Sequence, residues 1–266
     1  MLNYKKSLGQ NFLIDQNIIK KIISITQINN KDIVEIGPGS GNLSQNIIKC
    51  KPKKLILIEK DNRLVEILKK KFSNHNNVTI INKDLLELNL KKIVKKGSIV
   101  FGNLPYNVSS QILIKFLRQD SWPPLYSKLI FMFQKEVGDK IIASSKEKDY
   151  GRLSIITKFK LNVNKCFDVS NNCFFPRPKI NSTVLLFQPK KKLSHNIKNL
   201  KNLEKITQIF FSKKRKMINK PLDIIFNKNK VIISKLNLNL LLRPSEISEN
   251  NYYKITQLFE KIVERK

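Results

Sequence analysis

The stretch Asp32-Ile33-Val34-Glu35-Ile36-Gly37-Pro38-Gly39-Ser40-Gly41-Asn42-Leu43-Ser44 decides the fold. It opens as a short β-branched run, turns glycine-rich, and from Asn42 enters a helical pattern that continues to Ile47-Ile48. The order is strand, glycine loop, helix. Glycines let a loop backbone approach a ligand closely, and the helix start presents unpaired N–H groups. A nicotinamide-type G-x-G-x-x-G fingerprint would need glycine at Asn42, so the G-x-G-x-G pattern here departs from it. The alternative ligand for this variant is S-adenosylmethionine, whose methionine part and ribose pack against the loop with no pyrophosphate to cradle.

Downstream, Leu55-Ile56-Leu57-Ile58 reads as a second strand ending on Glu59-Lys60-Asp61. A carboxylate at a strand end some twenty residues past the loop can accept both ribose hydroxyls of a nucleoside, which favours Glu59 as a ribose ligand. A helix through Leu64-Val65 and Ile67-Leu68 follows, and then a third strand, Val78-Thr79-Ile80-Ile81, runs into Asn82-Lys83-Asp84. Asp84 is placed to accept an adenine amino group. The apolar Ile99-Val100 precedes Phe101-Gly102-Asn103-Leu104-Pro105-Tyr106-Asn107, a buried strand running into a tight loop. The glycine loop, Glu59, Asp84 and Asn103 thus all fall at carboxyl ends of successive strands, where open parallel sheets bind ligands.

The Asn103 stretch suits alkylation of an adenine amino group. That nitrogen is a poor nucleophile because its lone pair is delocalised into the ring, so an enzyme must take up the amino hydrogens and localise the pair. The Asn103 amide and the Leu104 carbonyl, held rigid by Pro105, offer two acceptors. Tyr106 supplies a flat face for a base removed from its stack, a contact worth roughly 1–3 kcal/mol.

Ahead of the glycine loop, Lys6-Ser7-Leu8-Gly9-Gln10-Asn11-Phe12-Leu13-Ile14 reads as a basic arm, and Asp15 as the N-cap of an amphipathic helix through Ile18-Ile19 and Ile22-Ile23. Beyond Tyr106, Ser109-Ser110 cap a helix bearing Ile112, Leu113, Phe116 and Leu117, which Trp122-Pro123-Pro124 breaks. Leu129–Phe133 is a further strand, Tyr150-Gly151-Arg152-Leu153-Ser154 opens another element, and Phe174-Phe175-Pro176-Arg177-Pro178 is a stiff loop before the strand Ser182–Phe187. From Gln188 the chain turns polar and basic. The expected organisation is an α/β domain over 1–189, a linker over 190–199 and a helical domain over 200–266. Lys213-Lys214-Arg215-Lys216 is expected on an amphipathic helix of that last domain, and Val231-Ile232-Ile233 is its one strand-like run.

At 266 residues, 41% of them hydrophobic, the chain can build one α/β domain with an appendage. A net charge of +31 points to a polyanionic partner. The chain is also crowded with Lys, Asn and Ile, the residues of A/T-rich codons, so charge supports nucleic acid without proving it. Cys50, Cys166 and Cys173 show no C-x-x-C spacing, which argues against a disulfide framework and a zinc site. No secretory or membrane-length apolar run occurs, which implies a cytoplasmic protein.

These residues carry a resemblance. The chain resembles the bacterial ribosomal RNA small-subunit adenine dimethyltransferases, the KsgA/RsmA family, from Gly9-Gln10-Asn11-Phe12-Leu13 through Val34–Gly39, Asn103-Leu104-Pro105-Tyr106, Gln134-Lys135-Glu136-Val137 and Tyr150–Ser154 to Phe174–Pro178. The resemblance implies a Rossmann-like S-adenosylmethionine-dependent methyltransferase domain with a small C-terminal α-helical domain. It implies methyl transfer to N6 of two adjacent adenines near the 3′ end of 16S rRNA, two methyls on each, in the small ribosomal subunit or its precursor; a monomer without metal or membrane is expected. By the same resemblance Asn11, Leu13, Gly37, Glu59, Asp84 and Asn103 bind the cofactor and Tyr106 and Phe174 sandwich the adenine; with the acceptors of Asn103 and Leu104 these make the expected catalytic set, and the charge of Lys213, Lys214, Arg215 and Lys216 on the appended domain points to rRNA backbone. The erythromycin-resistance methyltransferases, which act on 23S rRNA, share most of these motifs. They typically carry Ile where this chain has Leu104, whereas Phe211–Lys216 and Arg243–Ser248 look like the small-subunit group. A reading from another class is a ribosome-assembly factor for which methylation is incidental or decayed; the intact Gly37, Glu59, Asp84 and Asn103 argue against decay, and both roles can coexist.

Overall fold

β-branched and apolar runs alternate with amphipathic stretches, and a computed structural model describing residues 11–119 and 121–263 turns that alternation into a sheet flanked by helices. The Lys6–Gln10 part of the expected arm lies outside the described residues. In chain order the elements are β1 (Phe12–Leu13), α1 (Gln16–Ile23), β2 (Asp32–Ile36), α2 (Asn42–Lys49), β3 (Lys54–Glu59), α3 (Asn62–Lys71), β4 (Val78–Asn82), β5 (Ser98–Asn103), α4 (Ser109–Leu117), β6 (Tyr126–Gln134), α5 (Lys135–Ile142), α6 (Arg152–Lys160), β7 (Leu161–Val169), β8 (Phe174–Phe175), β9 (Ser182–Pro189), α7 (Leu200–Phe211), α8 (Asn219–Ile225), α9 (Lys230–Ser234) and α10 (Glu249–Val263).

The main sheet runs β4-β3-β2-β5-β6-β9-β7. β2 pairs in parallel with β3, Val34 opposite Ile56, and on its other side with β5, Val34 opposite Val100. β3–β4 and β5–β6 are also parallel, and β9 closes antiparallel onto β6. Because β2, β3 and β4 step one way and β5 returns to the far side of β2, the winding reverses between β2 and β5. The carboxyl ends of those two strands therefore flank a crevice. The central strands are mostly apolar, as in a parallel sheet covered on both faces: Ile33, Val34 and Ile36 of β2 and Ile99, Val100 and Phe101 of β5 are all buried. A separate two-stranded ribbon pairs β1 with β8, Phe12 opposite Phe175 and Leu13 opposite Phe174.

The caps follow the side chains available. Asp15 Oδ1 accepts from the backbone N–H of Asn17 at 2.8 Å and of Ile18 at 2.9 Å, starting α1. At α4 the structure corrects the expected serine cap: Val108 holds the N-cap position without a side-chain bond, and Ser109 Oγ donates back to the Tyr106 carbonyl at 3.3 Å.

The chain divides into two compact units, one comprising the chain up to Gly138 with Asn162–Pro189, the other Asp139–Leu161 with the chain from Lys190 onward. The division departs from the expected cut after residue 189, because α6 belongs with the later helices. It packs on α7 and α10, with the Tyr253 hydroxyl donating to the Ile155 carbonyl at 2.9 Å and the Phe159 and Tyr253 rings 5.0 Å apart. Two local expectations are also corrected in this unit. Val231–Ile233 is helical, inside α9, where Asn229 caps the Ile232 N–H and Ile233 alone is buried. Lys213–Lys216 is a turn beyond α7 rather than part of a helix. The apolar spacing that holds α7 to its core lapses between Phe211 and Ile218, and Lys216 N–H closes the turn on the Lys213 carbonyl at 2.9 Å.

Candidate functional site

A cavity of about 180 Å³ lies at the carboxyl ends of β2 to β5. Its floor is the glycine loop. Gly39 sits at φ +57°, and a Cβ there would come within 2.7 Å of the Phe12 ring, so only glycine lets the arm lie against the loop. Gly41, at φ +77°, leaves no room for a Cβ either, with Leu68 2.9 Å away.

Glu59 ends β3 almost fully buried. Its Oε1 accepts from the backbone N–H groups of Lys60 and Asp61, both at 2.9 Å, and its Oε2 accepts from Gly39 N–H at 3.2 Å. Burial pushes its carboxyl above the ordinary range against these three donors. A carboxylate offers about four lone-pair sites, so three are taken and the remaining one, on Oε2, can receive one further hydroxyl. That narrows the expectation of two ribose contacts to one while the loop keeps this conformation.

Asp84 also lines the cavity. Oδ1 caps the Leu86 N–H at 2.8 Å and Oδ2 pairs with Lys60 Nζ at 2.7 Å. Burial opposes its charge, but Lys60 and the Leu86 N–H outweigh that, leaving the carboxyl below its ordinary value. Across the crevice Asn103 closes β5, and its Nδ2 donates to the Asn11 carbonyl at 3.0 Å. Leu104 is buried behind it, and Tyr106 faces the cavity with its hydroxyl 3.0 Å from Ser182 Oγ. Burial raises the Tyr106 hydroxyl above its ordinary pKa, with the Ser182 contact opposing.

The cavity lining therefore brings together Asn11, Leu13, Gly37, Glu59, Asp84, Asn103, Leu104 and Tyr106. Phe174 is not brought there. It is 3% exposed and sits opposite Leu13 in the β1–β8 ribbon, within the core cluster behind the arm, so in this conformation it has no open face for a base. Lys213–Lys216 are exposed in the second unit, Lys214 Nζ donating to the Lys148 carbonyl at 2.9 Å.

A family model for ribosomal RNA adenine dimethylase matches residues 1–262. The chain belongs to the ribosomal RNA adenine dimethylase family. A protein named ribosomal RNA small subunit methyltransferase A from Pelagibacter ubique (strain HTCC1062) is 48% identical over 256 residues, covering 96% of this chain and 97% of its own length. One of the same name from Mycoplasma mobile is 36% identical over 255 residues, covering 94% and 96%. Among solved structures, a dimethyladenosine transferase from Plasmodium falciparum superposes with a TM-score of 0.77 at 25% identity, over 94% of this chain and 98% of that one. The 23S rRNA methyltransferase ErmE shares the fold at a TM-score of 0.69 and 20% identity, over 94% and 100%.

The dimethylase cavity also contains groups that strand-end reasoning passes over. Glu35, 2% exposed within β2, lines it with Oε2 buried and unpartnered. Burial lifts this carboxyl from 4.5 to about 7, with Ser44 and Lys71 working against the rise and Glu59 adding to it. Its signal in the sequence is a carboxylate set between the apolar Val34 and Ile36 in the middle of a strand. Asn42 also lines the cavity, and Ser182, outside the lining, holds the Tyr106 hydroxyl. Asn42 is visible only as the residue that displaces a third glycine, and Ser182 carries no signal until the fold sets it beside Tyr106.

Among the described residues no group of His, Cys, Asp or Glu is arranged to hold a metal, and no helix is long and apolar enough to cross a membrane.

Proposed function

We propose that this dimethylase takes methyl groups from S-adenosylmethionine and places them on N6 of two adjacent adenines near the 3′ end of 16S rRNA, two on each, in the small subunit or its precursor. The observation that carries the reading is the convergence on one cavity of Glu59, Asp84 and the Asn103-Leu104-Pro105-Tyr106 turn. Relatives named for the small subunit favour 16S over 23S rRNA.

The residues fit the cofactor. The glycine loop lines the cavity with backbone and leaves the arm room to pack on it, Glu59 keeps one acceptor for a ribose hydroxyl, and Asp84 is available to an adenine amino group. The buried, unpartnered oxygen of Glu35 suits a cationic ligand better than a neutral one. When bound, S-adenosylmethionine supplies an electrophilic methyl on a sulfonium sulfur. Asn103 Oδ1 and the Leu104 carbonyl accept the two amino hydrogens of the target adenine and localise its lone pair. Tyr106, steadied by Ser182, offers a ring face to the extruded base. Phe174 backs the arm from behind Leu13 and steadies the cavity wall. No strong base is required, because the proton leaves to solvent after attack. Catalysis then rests on alignment and on acceptors fixed beforehand.

The test is to incubate under-methylated small subunits, and separately large subunits, with labelled S-adenosylmethionine and to map reverse-transcription stops. Label on two adjacent adenines near the 3′ end of 16S rRNA is expected, and label confined to 23S rRNA overturns the assignment. Asn103→Ala should lower the single-turnover rate by the roughly 2.7–4 kcal/mol of one transition-state contact while RNA binding persists.

A further inference from the structure

Asn42 is the first residue of α2, yet its side chain serves the arm: Nδ2 donates to the Leu13 carbonyl at 2.9 Å. Two residues earlier in the arm, the Asn11 carbonyl accepts from Asn103 Nδ2 at 3.0 Å. Between these anchors the Phe12 ring lies over Gly39, in the space a Cβ would fill. The three-residue arm is thus pinned from both sides of the crevice, by the residue after the glycine loop and by the last residue of β5.

The two bonds are coupled through the planar amide. Asn103 has one donating nitrogen and one accepting oxygen, held in fixed relation. With Nδ2 committed to Asn11, Oδ1 is turned to the opposite side and left to accept. If the arm shifts, the amide loses the partner that selects this orientation, and the flipped amide would present a donor to an amino group that is itself a donor.

We propose that Asn42 is a positioning residue for methyl transfer, holding Leu13 so that the arm, through the Asn11 carbonyl, fixes the Asn103 amide with its acceptor toward the amino group to be methylated. The inference rests on the function proposed above. The β1–β8 pairing and the bond from Ile14 N–H to the Cys173 carbonyl, at 2.9 Å, still hold the arm when Asn42 is changed, so variants are loosened rather than unfolded.

The experiment compares Asn42→Ala, Asn42→Asp (similar shape, no donor), Asn103→Ala and the double variant Asn42→Ala/Asn103→Ala. Hydrogen exchange of the peptide spanning residues 11–15, in cofactor-free protein, should quicken roughly five- to tenfold in both Asn42 variants, the equivalent of one net hydrogen bond. Single-turnover methylation of small subunits should slow by a similar factor that saturating S-adenosylmethionine does not restore. The double variant should be no slower than Asn103→Ala, since both changes remove one function. Wild-type arm exchange in both Asn42 variants, or additive losses in the double variant, overturns the proposal. Because exchange is read without substrate, an inactive wild-type protein would sink the function and unchanged exchange would sink the latch.

Discussion

Replacing Glu35 with Gln should stabilise the protein at pH 8 relative to wild type far more than at pH 5. Glu35 is 2% exposed, one of its oxygens is unpartnered, and burial lifts its carboxyl from 4.5 to about 7 despite Ser44 and Lys71. The folded state therefore binds this proton more tightly than the unfolded chain. Stability falls as pH rises between those two values and levels off above the upper one. At about 1.36 kcal/mol per unit, wild type loses roughly 2.5 kcal/mol between pH 5 and 8 through this group. Gln has no proton to lose. Urea unfolding of both proteins at pH 5, 6, 7 and 8, without cofactor, measures the effect, and taking the difference at each pH cancels the other titrating groups. A difference that widens by roughly 2.5 kcal/mol in favour of the variant is expected. A difference flat with pH refutes the assignment of Glu35 as a buried acid that ionises only at cost.

Glu59→Gln should weaken S-adenosylhomocysteine binding in calorimetry by roughly 1.5–3 kcal/mol, because a charged acceptor is lost; unchanged affinity in a folded variant would remove Glu59 from the ribose site. Gly39→Ala should cost roughly 1–2 kcal/mol in urea unfolding from the left-handed backbone alone, and adding Phe12→Ala should relieve only the part due to the ring. Changing Lys214, Arg215 and Lys216 together to Glu should lower the slope of log affinity against log salt for small subunits by about two to three and leave S-adenosylhomocysteine affinity alone. A wild-type salt slope would make the turn a solvated surface without an RNA role.

The main sheet was legible because each of its strands up to β5 is a run of β-branched or apolar residues ending in a polar switch, and the glycine loop fixes where the first helix begins. The same rule brought Glu59, Asp84 and Asn103 to one edge of the sheet, since parallel strands carry their carboxyl ends together. Pairing of Phe12-Leu13 with Phe174-Phe175 was not legible, as two residues have no periodicity to read. That pairing is also why Phe174 is buried rather than open to a base. The lysine turn escaped for another reason. Helix propensity favours Lys and Arg, but propensity is a weak prior, and no apolar face continues through residues 213–216 to hold a helix against a core. Nothing in the pattern of Arg152–Lys160 says which unit it joins, because α6 is buried on most sides and so lacks a polar face to orient it.

The ribbon of β1 and β8 joins segments roughly 160 residues apart, and closing so long a loop is an entropic cost met late in folding. On the ribosome, the strand that will clasp the arm emerges only after the glycine loop and the Asn103 turn have been made. A nascent chain cut before Cys173 lacks the β8 partner of the arm, so its capacity to hold cofactor is expected to rise once Phe174-Phe175 has been made.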